Sequence, residues 1–574
     1  MNLKKWTWIA IPTICLTVTM AAKDNNNPFN TSTMTHVPAA NPKTPGVAAP
    51  NILSPELIET VVAQGSWRLE NPDTSPATGT GGLGLTGFYG YDNDVVITGP
   101  AGTFPVMLPA PGALPTPTTK IEATKTEPDK NTYLVLRRQD GPDPTYDYGN
   151  HFLFQGHEVG VSGQGYITRI NLDADGPHRI TLLATTDVNG VRLPVIDGSS
   201  WYPFSERLLF TAELGTSGGV WQATADYPSR VEFLPAMGRG GYEGIQADGH
   251  GNLIIVEDVG GGGGPTTPQA RRPNSFVYRF IPYNPLDLTL GGKMQALQVM
   301  SLAHSGPIVF GSTATPADTD AAILSQDQKD LHTYGKVFQT NWVTIHDSAT
   351  QPSPFDANDL AKKADATPFK RPENGQFRPG SNFTEFVFDA TGDTNLMTQA
   401  GSDFGGFGAI FRLKFLTADS GELRLLYKSD VAHSGFDNCA FWSSHQIVFV
   451  EDAGDTLHTQ RNALDSAFLF DLNTDYGNPA NQPIRILAQG RDPSATLDSA
   501  FGALGSSTGF QNEGDNEITG FHVSDGDPTV HGLIGSANPT PFKRGWRVFY
   551  TQQHGDNNTF EILAAPGDDE RDRR

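Results

Sequence analysis

GYEGIQADGHGNLIIVEDVGG (241–261) and GFDNCAFWSSHQIVFVEDAGD (435–455) share one plan. Each opens Gly-aromatic-acid, passes through an apolar stretch, turns, and runs into a second apolar stretch that ends Val-Glu-Asp. Short runs rich in β-branched and aromatic residues read as strands. The turn is clearest in the first copy, where Asp248-Gly249-His250-Gly251-Asn252 supplies turn formers. Two such hairpins about 190 residues apart point to a repeated unit of strands around an axis, a β-propeller. A flat assembly of sandwiches is the alternative.

Strand-length runs extend outward from this pair in both directions. They include HFLF (151–154), YITRINL (166–172), RLLFTAEL (207–214), SFVYRFI (275–281), TEFVFDA (384–390), AIFRLKF (409–415), SAFLFDL (466–472) and WRVFYTQ (546–552). Gly (62) and Pro (42) among 574 residues supply the turns such a chain needs. ANDLAKKADA (357–366) is the best helical pattern, and it is short. The expected fold is all-β, a propeller over residues 85–565 with loop insertions. Residues 23–84 read as a flexible leader, polar and Pro-rich to about residue 50, and an entry segment, and 566–574 as a charged tail. The stretch 302–370 reads as an insertion that could lid the channel.

Residues 1–22 carry Lys4 and Lys5, an apolar run from Trp6 to Met20, and small residues Ala21 and Ala22. That is the pattern of a cleaved secretory signal, too short for a comfortable span, so the expected location is secreted or periplasmic, with no membrane attachment after cleavage. Ile14 before Cys15 argues against lipidation. Beyond the signal only Cys439 remains, so no internal disulfide can form and stability must come from a large core or bound Ca²⁺. A formal charge of −23 disfavours nucleic acid and anionic lipid and suits cations.

The chemistry is expected where acids fall at strand ends: Glu158, Glu213, Glu243, Glu257-Asp258, Glu373, Asp437-Asn438 and Glu451-Asp452. In a propeller these would converge on the axial channel, where crowded carboxylates need cations to stay ionised. Oxygen ligands suit Ca²⁺, and a denser cluster could hold a transition metal. A single acid at a strand end is ordinarily a solvated turn residue, but the repeated Val-Glu-Asp ending weighs against that. Arg371 beside Glu373 is either a surface ion pair or a phosphate fork. Gly260–Gly264 lacks the Gly-Lys-Ser/Thr of a phosphate loop and reads as a flexible loop. No Gly-x-Ser-x-Gly elbow and no His-Glu-x-x-His are present. Cys439 reads as a buried apolar residue, and His554 as a loop or site residue.

Taken in order, these pieces resemble the PhoX-type alkaline phosphatases. The matching stretches are Gly156-His157-Glu158, the strand ending at Glu213, Gly238 to Glu243, Glu257-Asp258, Phe276 to Phe280, and Thr367 to Glu373. Asp437-Asn438, Glu451-Asp452, Glu517 to Gly520 and Gln553-His554-Gly555 complete the series. The resemblance implies a six-bladed propeller whose axial site holds Ca²⁺ and a pair of iron ions and hydrolyses phosphate monoesters outside the cytoplasm. It implies Glu213, Glu243, Glu373 and Asp437 as metal ligands, with Arg371 holding phosphate and Glu373 serving at the catalytic centre. Three departures stand out. The iron-ligating Cys of the family has no match in VIDGSSWYPFSE (195–206), where Asp197 or Gly198 takes its place. Leu214 follows Glu213 where the family has a second Glu, and the signal has no twin Arg. The departures leave open an altered metal set (Fe³⁺ or another, harder ion), a non-catalytic Ca²⁺-stabilised binding propeller, or a propeller lactonase or arylesterase.

Overall fold

The computed structural model describes residues 34–39, 49–65, 67–73, 88–90, 126–159, 165–213, 218–264, 270–309, 321–393, 402–490, 517–553 and 557–566. The signal pattern, the charged tail beyond 566 and His554 lie outside them. Among the described residues no helix is long and apolar enough to cross a membrane.

After β1 (Ile52–Leu53) and β2 (Leu57–Ala63), strands follow in antiparallel meanders. The first is β3–β6 (Thr126–Val135, His151–Val159, Tyr166–Asn171, Ile180–Ala184), the second β7–β10 (Ser199–Tyr202, Arg207–Ala212, Gly219–Ala223, Val231–Phe233). Then come β11–β14 (Tyr242–Ala247, Leu253–Glu257, Val277–Pro282, Gly292–Val299), the single strand β15 (Phe338–Asp347), and β16–β19 (Gly375–Phe377, Glu385–Ala390, Ala409–Phe415, Ser420–Lys428). Last are β20–β23 (Phe436–Phe441, Gln446–Glu451, Ser466–Asp471, Ile484–Ala488) and β24–β26 (Glu517–Ser524, Arg547–Gln553, Asn558–Ala564). β15 pairs with both β14 and β19 and so joins two meanders into one nine-stranded sheet.

The chain is all-β with a propeller-like arrangement of sheets. First strands of successive meanders abut in a closed cycle, β3 to β7 to β11 to β16 to β20 to β24 and back to β3. Apolar residues fill the space between neighbours: Phe154 against Phe210, Leu209 against Ile255, Val256 against Phe388, Val387 against Phe449, Val450 against Val548, and Phe549 against Leu153. Strands packed on both faces read as continuous apolar runs, which is why IVFVE and LIIVE are solid hydrophobe.

The entry segment is built from strands, and part of the leader packs against the core. β2 pairs with β26 and completes the last meander, β1 pairs with β23, and Met34 and Val37 are buried. Leu-Ile-Glu-Thr-Val-Val-Ala is a strand sequence, and pairing with the free edge of β26 satisfies its backbone groups. The 302–370 stretch supplies α1 (Gln326–Leu331), β15 and α2 (Ala357–Lys363), with Ser325 and Asp356 as N-caps. None of its described residues lines the central cavity.

Candidate metal centre

Four first strands carry the same irregularity. Their registers slip by one residue between Pro128 and Asn131, Tyr242 and Ile245, Phe436 and Cys439, and Thr519 and His522. A bulge of this kind bends the strand and re-aims the extra residue's side chain. In three of the four the bulge holds an acid: Asp129, Glu243 and Asp437. Gly244 follows Glu243 because a β-carbon there would sit 2.7 Å from the Glu373 carbonyl oxygen.

The acids meet in a cavity of about 500 Å³ whose wall carries twelve carboxylates and two arginines, Arg271 and Arg371. Asp129, Asp197, Glu243, Glu373, Asp437 and Glu517 come from the beginnings of the first strands. Glu158, Glu213, Asp258, Asp393 and Asp452 come from where second strands end, with Gln553 at the matching place on β25. Glu127, at the start of β3, is the twelfth. Three triads have ligand atoms within 4.8 Å of one another: Asp129, Glu158 and Asp197; Asp197, Glu213 and Glu243; Glu243, Glu373 and Asp437. Asp197 and Glu243 each belong to two triads, so the three form one chain.

Buried polar groups fix these side chains. The Asn374 amide donates to Glu243 at 2.6 Å and to Asp437 at 3.4 Å, and the buried Lys130 ammonium donates to Asn374 in turn. Thr519 donates to Asp129 at 2.5 Å and Gln553 to its other oxygen at 3.2 Å. Arg371, left-handed at φ 56°, grips both oxygens of Asp258 at 2.7 Å and reaches Glu373 at 2.9 Å. Burial first, and then the neighbouring Asp437, push Asp129 up to about 8. Burial and mutual repulsion hold Glu158, Asp197, Glu243 and Glu517 well above the carboxylate range. Glu213 and Glu373 are held there too, by burial chiefly, although Arg371 pulls both down.

The sequence-predicted residues divide. Glu158, Glu213, Glu243, Asp258, Arg371, Glu373, Asp437 and Asp452 line the cavity. Asn438 does not: its amide holds Asp437 at 2.7 Å and Thr519 at 3.0 Å. Glu257 and Glu451 do not either. Successive side chains on a strand face opposite ways, so in each Val-Glu-Asp ending only the Asp faces the cavity. Glu257 accepts from Phe276 N–H, Tyr278 and Asn358 of α2. Glu451 accepts from Ser434 and Ser466 N–H and from Arg461 of α3 (Gly454–Arg461). Each Glu thus pins the start of the next strand and a rim helix. Arg461 also holds Asp465, at 2.8 Å. Arg461→Met should cost about 3–5 kcal/mol, since it strands two buried carboxylates. Urea unfolding measures this, and a loss below about 1 kcal/mol would remove the network from the account.

Glu127, Asp129 and Asp393 are the cavity acids that sequence reasoning missed; Glu517 entered it only within a family stretch, and Asp197 as the residue standing where a Cys was expected, able to bind a harder ion. A signal for Asp129 existed: an acid sits second in the bulged stretch Pro-Asp-Lys-Asn (128–131) of β3 as in Tyr-Glu-Gly-Ile (242–245) of β11. Cys439 lies fully buried among Phe436, Phe441 and Phe449, and burial pushes its thiol up, away from the thiolate. No described residue of the cavity wall is a Cys or His. This donor set fits hard, oxygen-seeking cations, which would let the crowded carboxyls ionise, and does not fit an iron–thiolate.

No family model matches the chain, and no curated protein matches its sequence. Among solved structures, glucose dehydrogenase aligns at 10% identity over 76% of this chain and 97% of its own, with a TM-score of 0.27. Sqt1 from Chaetomium thermophilum aligns at 11% over 72% and 93%, with a TM-score of 0.28. Neither likeness carries an argument. Pseudomonas fluorescens PhoX in complex with vanadate, a transition state analogue, aligns over 92% of this chain and 98% of its own with a TM-score of 0.52. At 9% identity that match shows a PhoX-like fold.

Proposed function

We propose that the chain is a secreted, metal-dependent phosphatase that hydrolyses phosphate monoesters at the axial cavity. The observation that carries this reading is the chain of three carboxylate triads beside Arg371, in a fold aligned almost end to end with a protein trapped with a phosphoryl transition-state analogue. We read the meanders as six blades, the sixth completed by β2, with each first strand contributing an acid at or near its start and β3 contributing two. Ca²⁺ is the cation that the all-oxygen triads suit best, and iron or another transition ion near Asp197 would be held by oxygen alone. Bound cations would supply Lewis-acid stabilisation of the phosphoryl oxygens.

The chain's own residues do the rest. Glu243 and Asp197, each shared by two triads, would hold neighbouring cations in common. Asn374, held by Lys130, keeps Glu243 and Asp437 in one orientation. Arg371 holds Asp258 and Glu373 and brings the wall's buried positive charge to where a phosphoryl oxygen would sit. The described residues give the cavity a polar wall open to solvent, suited to a small phosphate ester rather than to nucleic acid.

The test is elemental analysis followed by turnover of p-nitrophenyl phosphate with and without chelator. Bound calcium with chelator-sensitive turnover is the expected result, and Arg371→Ala should lower kcat/KM about 100-fold. Metal-loaded protein that hydrolyses no phosphate ester would remove the reading. A second reading, a Ca²⁺-stabilised binding propeller, is favoured by the way Asp258 and Glu373 already engage Arg371. A melting temperature lowered by chelation, with no turnover of esters or lactones, would select it.

A further inference from the structure

The Gly260–Gly264 run, read as a flexible loop, forms part of a rim ladder. Gly263 and Arg271 make an antiparallel bridge, and Arg272 N–H donates to the Gly262 carbonyl at 3.0 Å. A β-carbon on Gly261 would lie 1.8 Å from the Arg272 carbonyl oxygen, so the two backbones approach this closely only because residue 261 is glycine. The ladder places Gly260, Gly261 and Arg271 on the wall of the acidic cavity.

A small crevice opens beside it, lined by Arg271, Arg272, Lys370 and Arg371, with Asp393 as the one carboxylate among its described residues. In a chain with 63 acids against 40 bases, four cations around one crevice are a local reversal of charge. Two of the four are engaged inward: Lys370 pairs with Asp393 at 2.8 Å, both buried, and Arg371 with Asp258 and Glu373. Arg271 also gives its backbone N–H and its charge to Asp393, but its side chain is exposed, and like Arg371 it belongs both to the crevice and to the cavity wall.

We propose that this rim is a subsite for a second anionic group of the substrate, so that the enzyme prefers phosphomonoesters carrying a further carboxylate or phosphate a few bonds from the scissile ester. The inference rests on the phosphatase reading above. With the phosphoryl group inside the cavity, the leaving group lies toward the mouth, where Arg271 offers a planar fork that matches a carboxylate or phosphate. Gly260 and Gly261 put no side chain in the way.

Glycerol 3-phosphate and 3-phosphoglycerate differ by a hydroxymethyl against a carboxylate, and they make the test pair for the full, calcium-loaded protein. The wild type should favour 3-phosphoglycerate about tenfold in kcat/KM, chiefly through KM. R271Q should bring the ratio near one, and R271K should restore part of it. The ratio is insensitive to a general loss of active protein, because both substrates then suffer alike. A wild-type ratio near one, or a ratio unmoved by R271Q, overturns the subsite. If neither substrate nor p-nitrophenyl phosphate is turned over, the phosphatase reading fails and calorimetry decides the subsite separately. Binding of 3-phosphoglycerate that R271Q weakens about tenfold, with inorganic phosphate affected less, supports it. Equal effects on both ligands, or no binding, overturn it.

Discussion

Stripped of divalent cations, the protein should lose stability steadily as the pH rises from about 4 to 8. Asp129 is pushed up to about 8 in the fold by burial and Asp437, against about 3.9 in an unfolded chain. Between those values the folded state holds a proton that the unfolded state has released. Stability therefore falls with rising pH, and the contribution is fully present only below the unfolded value. Glu158, Asp197, Glu213, Glu243, Glu373 and Glu517 are raised in the same direction, with burial the first cause in each. Each carboxyl that stays protonated contributes a slope of about 1.4 kcal/mol per pH unit, so a few acting together make the effect large. Calcium should remove most of the slope, because a bound cation stabilises the ionised form. Urea unfolding at pH 5, 6, 7 and 8, with chelator and with calcium, measures both arms. A flat profile in chelator would mean that the cavity acids are not crowded as described.

The second large effect is expected from Glu243→Gln. The amide keeps the shape of the side chain but removes a charge shared by two triads, so at least one cation should be lost and phosphatase turnover should fall by about 100-fold or more. The same variant should make the cation-free protein more stable at pH 8, since a buried carboxyl that must take up a proton to fold is gone. That opposite sign separates a ligand from a merely structural acid. Glu257→Gln is the internal control: its carboxyl ties Phe276, Tyr278 and Asn358 away from the cavity, and its loss should leave the metal content intact. Retention of every cation by Glu243→Gln would detach the triads from metal binding.

The hairpins at 241–261 and 435–455 carried the all-β, propeller-like reading, because buried strands and tight turns both leave local signatures. The repeated Glu-Asp endings also pointed to the site, but sequence spacing could not say which of two adjacent acids faces inward. That depends on where the strand's alternation is set, and a bulge earlier in the same hairpin resets it. Asp129 was hidden for a related reason. Pro128 and Lys130 beside it break the apolar pattern that marked the other first strands. β2 carried a strand pattern of its own in the entry segment, but it stayed unassigned because its partner lies at the far end of the sequence. Asp197 shows the reverse case: its position was noticed as a missing Cys where a harder ion could bind, while its place at the junction of two triads is visible only when three meanders are brought together.

The pairing of Leu57 with Ala564 also has a meaning in time. During synthesis, β2 is made about 500 residues before the strand it pairs with. At roughly 5–20 residues per second it waits about 25–100 s with both edges bare. An apolar strand left open that long is a template for the wrong partner. Glu56, Glu59 and Thr60 put polar groups along this waiting stretch, and Glu59 ends bonded to Asn51 and Tyr550 in the joined ring.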